Sequence, residues 1–256
     1  MEKRQSNGIG FMAGKWPLTA ATSTLVFIHG SGGSAQFWTA QVQGLVAKAN
    51  TLAIDLPGHG DSQGDGHNTV EGYTAAIIEF LDHLDPPGPI PCGLSLGGAI
   101  AQQLLLDQPD RFGAGILIGT GARLKVLPAI FEAIRDDFEG FVGMITGFAA
   151  SEKTAPAVIR RFQNELARCS PEVVNADFQA CNQFDVMARL RDIRVPVLVV
   201  SADEDKLTPP KYADYLESVI PQTARAHIAD AGHIAPLEKP RAVNQAIMDF
   251  LDSHRL

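Results

Sequence analysis

Five short runs of nearly unbroken apolar residues punctuate the chain: T-L-V-F-I-H at 24 to 29, T-L-A-I-D-L at 51 to 56, I-P-C-G-L at 90 to 94, G-A-G-I-L-I-G at 113 to 119 and V-P-V-L-V-V-S-A at 195 to 202. A strand with one wet face alternates polar and apolar residues, so runs this continuous belong to strands buried on both faces. Longer stretches with helical spacing lie between them, such as Y-T-A-A-I-I-E-F-L-D-H-L (73 to 84) and A-I-A-Q-Q-L-L-L-D-Q (99 to 108). Strands alternating with helices predict an α/β fold: a mostly parallel sheet flanked by helices.

One region breaks this rhythm. From about Arg123 to Met187 the pattern is helical throughout, and Phe131, Phe138, Phe141, Phe148, Phe162, Phe178 and Phe184 supply much of its apolar surface. A helical insertion in an α/β sheet is usually a cap over the strand C-termini, where ligands sit. The expected organisation is a core domain of residues 1–122 and 188–256, with residues 123–187 as a helical cap inserted before the strand that carries an acidic turn.

Composition excludes several functions. A formal net charge of -8 leaves no basic patch of the kind that releases counterions from phosphate, so nucleic acid and anionic membranes are not expected partners. The first residues, M-E-K-R-Q-S-N-G-I-G, lack the apolar run of a secretory signal. No uncharged apolar span reaches the roughly 18 residues of a transmembrane helix. Three cysteines, Cys92, Cys169 and Cys181, with no C-x-x-C spacing, fit a reducing compartment better than a disulfide framework or a zinc site. The cytoplasm is the expected location.

The chemistry is concentrated in four places. Gly93-Leu94-Ser95-Leu96-Gly97 is a G-x-S-x-G between a strand and a helix, the nucleophile elbow in which a strained turn lifts a Ser hydroxyl above the sheet. The same letters alone also describe a Gly-rich turn, so partners must carry the assignment. H-G-S-G-G-S, residues 29 to 34, follows the first apolar strand and can offer a backbone N–H to an oxyanion. With the N–H of Leu96, that of Ser31 would make a two-donor hole. A phosphate loop is excluded there by the lack of G-x-x-x-x-G-K-[ST], and His29 reads as a buried ring that fixes the loop. In S-A-D-E-D-K-L-T-P-P an acidic residue at a strand C-terminus can orient a histidine; Asp205 is preferred to Asp203, and Glu204 ranks last. In A-D-A-G-H-I-A-P the loop residue His233 is the candidate base.

Together these segments resemble the α/β-hydrolase superfamily over essentially the whole chain: H-G-S-G-G-S (29 to 34), D-L-P-G-H-G-D-S (55 to 62), G-L-S-L-G-G (93 to 98), D-E-D-K-L-T-P (203 to 209) and G-H-I-A-P-L-E-K-P (232 to 240). The order Ser95, Asp205, His233 is that of the α/β-hydrolase triad. The D-L-P-G-H-G-D-S loop and the compact cap are similar to those of the esterase, 3-oxoadipate enol-lactonase and C–C hydrolase branch. The resemblance implies the Ser95–His233–Asp205 triad, the Ser31 and Leu96 amide hole, and no cofactor or metal. The expected function is hydrolysis of small to medium, largely apolar carboxylic esters, with lactone or C–C bond hydrolysis as variants and a ligand-binding receptor as an alternative of another class. The expected partners are an ester-type small molecule and water, acting on a monomer or homodimer.

Some positions depart from the pattern or stand outside the chemistry. Leu94 stands before the nucleophile, where the family commonly has a polar residue. The prolines of D-P-P-G-P-I-P-C-G-L cannot donate to a ladder, so this strand is expected to be short or irregular at its start. Asp55 and His59 read as structural, and Cys92 as a small buried hydrophobe.

Overall fold

The structure, a computed structural model, describes residues 1–256. It opens with two strands, β1 (Glu2–Ser6) and β2 (Ile9–Ala13), joined through Asn7 and Gly8, which both take positive φ (46° and 76°). That is the geometry an Asn-Gly hairpin turn requires. Then follow β3 (Thr24–Ile28), α1 (Thr39–Leu45), β4 (Asn50–Ile54), α2 (Val70–Leu84), β5 (Pro89–Leu94), α3 (Leu96–Asp107) and β6 (Gly115–Ile118). Four helices come next: α4 (Pro128–Asp136), α5 (Phe138–Ala149), α6 (Pro156–Leu166) and α7 (Pro171–Gln183). The chain ends with β7 (Val197–Ala202), α8 (Pro210–Val219), β8 (Thr223–Ile228), α9 (Ala235–Glu238) and α10 (Pro240–His254). No helix is long and apolar enough to cross a membrane.

The eight strands form one sheet in the order β1-β2-β4-β3-β5-β6-β7-β8. The pairs β1–β2 and β2–β4 are antiparallel and the rest are parallel. The continuous apolar runs are explained by the two faces. In β3, Val26 and Ile28 join the core shared with α2, α3 and α8, while Leu25 and Phe27 join the core shared with α1 and α10. Alternate side chains point to opposite faces, and both faces are dry.

Strand order reverses between β3 and β5, because the chain builds outward from β3 to β4 and then returns to lay β5 on its other side. At such a switch point the loops after the two central strands diverge and leave a crevice at their C-terminal ends. The 29–34 loop leaves β3 there, and Ser95 follows β5.

One expectation is corrected. The proline-rich strand is neither short nor irregular: β5 runs from Pro89 to Leu94 and pairs with β3 in continuous register from Thr24↔Pro89 to Ile28↔Gly93. The Gly88 carbonyl accepts from Thr24 N, so even-numbered residues face β3 and odd-numbered ones face β6. Pro89 and Pro91 thus turn toward β6, whose pairing begins only at Cys92, and no donor is missed there.

Helices α4, α6 and α7 each begin with Pro, which fits a first turn whose N–H groups have no partner. With α5 they bury a small core of their own, including Phe141, Ile145, Leu166 and Val174.

Candidate active site

Ser95 sits between β5 and α3 with φ 55° and ψ −115°, a backbone conformation that a residue with a side chain adopts only under constraint. The constraint is visible. Its N–H donates to Ile118 O (3.1 Å), and its carbonyl accepts from Ala99 N (3.0 Å) and Thr120 Oγ1 (2.9 Å). A Cβ at Gly93 would overlap the Gly97 carbonyl, and one at Gly97 would overlap the Ile28 carbonyl. Three backbone segments are therefore packed so closely that only glycine fits at 93 and 97. Leu96 is the first residue of α3, so its N–H has no carbonyl partner one turn back in the helix and carries the positive end of the helix dipole.

His233 and Asp205 meet on the loops that follow β8 and β7. His233 Nδ1 lies 2.9 Å from Asp205 Oδ2, and both side chains are buried. Asp205 also accepts from Leu207 N (2.9 Å), Thr208 N (2.8 Å) and Thr208 Oγ1 (2.7 Å). Burial by itself would raise the Asp205 pKa. The His233 ring and the Thr208 donors outweigh it and hold the carboxyl below its ordinary value. The sequence motif contained Thr208, but nothing in it singled out the hydroxyl. The neighbouring acids go elsewhere: Asp203 is exposed and accepts from Ala231 N (3.4 Å), while Glu204 accepts from Ser151 Oγ (2.7 Å) and Glu152 N (3.1 Å). The His233 N–H is itself held by Ala149 O (2.7 Å) at the end of α5.

Ser31, Ser95 and His233 all line one cavity of about 270 Å³ between the sheet's C-terminal edge and α4–α7. Fifteen of its 23 lining residues are hydrophobic, its charged side chains are Lys125 and Lys206, and no carboxylate lines it. Phe162 and Phe178, named from the sequence only as apolar surface of the helical region, form part of the wall with Leu166. The Ser31 N–H donates to no group of the protein.

The structural readings of His29, His59 and Asp55 hold. His29 Nε2 accepts from Leu56 N (3.0 Å) and its Nδ1–H donates to Gly30 O (2.8 Å). Burial, reinforced by His59, drops its pKa to about 3, so the ring is neutral. Asp55 accepts from Ala35 N (2.6 Å) and Asp61 N (3.0 Å). His59 is buried and lies 3.0 Å from Asp177 Oδ2. Burial opposes its charge, yet the Asp177 carboxylate prevails and raises the His59 pKa well above the usual value. Asp177, on α7, is a buried polar residue that sequence reasoning missed.

Known proteins are similar to the chain over most of its length. Residues 25–246 match the model of a family described as "Alpha/beta hydrolase family". The chain is 27% identical over 232 residues to 3-oxoadipate enol-lactonase 2 of Acinetobacter baylyi, covering 87% of this chain and 86% of that one. It is 28% identical over 244 residues to the pimeloyl-(acyl-carrier protein) methyl ester esterase of Salmonella enteritidis, covering 90% and 94%. Among solved structures, a thermophilic esterase superimposes with a TM-score of 0.84 at 31% identity, covering 99% of this chain and 97% of that one.

Proposed function

Because the chain belongs to the alpha/beta hydrolase family, we propose that it is a serine hydrolase that cleaves carboxylic esters of small to medium, largely apolar substrates. The observation that carries this reading is the convergence of Ser95, held at positive φ, and an Asp205-paired His233 on the wall of one apolar cavity.

The reaction runs as acyl transfer to water. His233 Nε2 takes the Ser95 proton as Oγ bonds to the ester carbonyl carbon, and the carbonyl π-electrons move to oxygen. The N–H groups of Ser31 and Leu96 receive that oxyanion. Collapse expels the alcohol, which takes the proton from His233 and leaves an acyl-Ser95 ester. Water, deprotonated by His233, attacks that ester, and the released acid restores Ser95. Asp205 fixes the tautomer with Nδ1–H toward it and stabilises the imidazolium at each step.

Helices α4–α7 are the cap in this reading, residues 123–187, set on a core of residues 1–122 and 188–256. The enol-lactonase relative favours one second substrate class, lactones, which the same steps open without releasing a separate alcohol. The cytoplasm is the proposed location, supported by an odd cysteine count without paired spacing. The proposed working form is a monomer or homodimer.

The test is hydrolysis of p-nitrophenyl esters of C2 to C12 acids, and of a small lactone set, by wild type and Ser95→Ala. The expected result is a fall of about 10³-fold or more in kcat for the variant, with the best acyl length matched to the cavity. Equal turnover by both proteins would overturn the assignment.

A further inference from the structure

Asp177 belongs to α7, yet every hydrogen-bond partner of its side chain lies in the α/β core. Its Oδ2 accepts from the Gly32 N–H (2.7 Å) and from His59 Nε2 (3.0 Å), and its Oδ1 accepts from the Tyr73 hydroxyl (2.5 Å). The side chain is fully buried. Desolvating a carboxylate is costly before its partners are counted, so it is an inefficient way to seat a helix that a Leu could seat by packing alone. What the carboxylate adds is direction: it fixes the plane of the Ser31–Gly32 peptide in the loop that carries the oxyanion donor.

The rest of the loop is gripped from the same side. Ser34 Oγ donates to Glu165 Oε1 on α6 (2.6 Å), and Ser31 Oγ lies 3.7 Å from Cys181 Sγ on α7. Gly32, at φ 65°, is wedged beneath Leu166 and Val174, and a Cβ there would overlap the Leu166 side chain. From the core side the loop is held by its own Gly33 N to Gly30 O turn (3.1 Å), by the His29 ring and, just past it, by Asp55 accepting from Ala35 N (2.6 Å). Three of the four positions from 31 to 34 thus take contacts from α6 and α7.

We infer that Asp177 is a positioning residue: through the Gly32 N–H it sets the oxyanion loop, so that the hole is complete only while α7 is seated on the core. The inference rests on the reading of Ser31 as an oxyanion donor. An amide held loosely or a fraction of an ångström out of place stabilises the transition state poorly while leaving ground-state binding in the apolar cavity intact. Asp177 therefore acts on kcat and leaves KM nearly unchanged.

The experiment compares wild type with Asp177→Leu, which keeps most of the bulk and removes the acceptor from the Gly32 N–H. Ser95 is titrated with a fluorophosphonate so that rates refer to active sites, and butylboronic acid serves as a probe of the tetrahedral oxyanion. The expected result is a kcat per site lower by about 10- to 100-fold, KM within about threefold, and butylboronic acid affinity weakened by a similar factor to kcat. Hydrogen exchange should accelerate in the peptide spanning 29–36 but not in that spanning the elbow at 93–98. Were Asp177→Leu to misfold, Glu165→Ala removes the acceptor from Ser34 Oγ and tests the same grip from a half-buried site, with a smaller expected loss of about 3- to 10-fold in kcat and the same selective exchange. A variant that lowers only Tm or the titratable fraction, with kcat per site and loop exchange unchanged, overturns the inference. Failure of the functional reading is separately visible as turnover that survives Ser95→Ala. Loop exchange needs no turnover, so it still decides whether Asp177 holds the loop.

Discussion

Asp203, Glu204 and Asp205 are consecutive, but each points to a different partner, and only Asp205 reaches the His233 ring. Asp205→Asn should leave His233 without the acceptor that sets its tautomer, lowering kcat by about 10⁴-fold. Asp203→Asn should change kcat by less than about threefold; a large loss there, with Asp205→Asn nearly silent, would reverse the assignment. Steady-state kinetics on one good ester measures both. The residues legible in the sequence share a physical reason: Ser95 needs glycines within two positions on each side, so the strain is written locally. Asp177 has no such signature. Its partners Gly32, His59 and Tyr73 lie 145, 118 and 104 residues away, and an Asp within N-A-D-F-Q-A reads as one more polar residue of an amphipathic helix.

At the scale of elements, β3 carries both faces of the sheet. Phe27 is fully buried and stacks on Trp38 with ring centroids 5.0 Å apart. Phe27→Ala should destabilise the protein by about 3–5 kcal/mol in urea unfolding, whereas a change below about 1 kcal/mol would mean that this face repacks freely. On α6, Phe162 lines the cavity and meets Phe37 at 6.3 Å. Phe162→Ala should move the preferred acyl length upward by two or more carbons, about the length of the removed ring; an unchanged p-nitrophenyl ester profile would place the acyl chain elsewhere. The central strands were readable because burial on both faces leaves continuous apolar runs. β1 was not, since E-K-R-Q-S lies exposed at the sheet edge, although the Asn-Gly turn after it was an available signal. β8, T-A-R-A-H-I, is an edge strand with half-exposed and exposed positions, and its mixed composition hid it. The prolines of β5 misled because what matters is which neighbour each missing N–H would have faced.

Across the whole molecule, two touching buried histidines set opposite pH limits, their rings 4.8 Å apart. His59, facing Asp177, Tyr73, Cys169 and His29, keeps its proton in the folded state at pH values where the unfolded chain has lost it. The stabilisation it gives is fully present below the unfolded value of 6.5 and is lost as pH rises from there through its raised native value. The slope approaches at most about 1.4 kcal/mol per pH unit. His29 is neutral when folded, so its contribution is lost as pH falls from 6.5 toward about 3. Thermal unfolding across pH 6 to 10 should show the alkaline decline in wild type and a flatter limb in His59→Gln; parallel limbs would contradict the His59–Asp177 pair. The cavity wall has lysines and no carboxylate, so a neutral butyrate ester should be cleaved at least about tenfold more efficiently than its choline counterpart, for want of any carboxylate to pair with the cation. The account as a whole turns on a covalent intermediate. Rapid-quench mass spectrometry during turnover of a p-nitrophenyl ester should find one acyl group, located by peptide mapping on Ser95; no adduct, or an adduct on another residue such as Cys92, would contradict it.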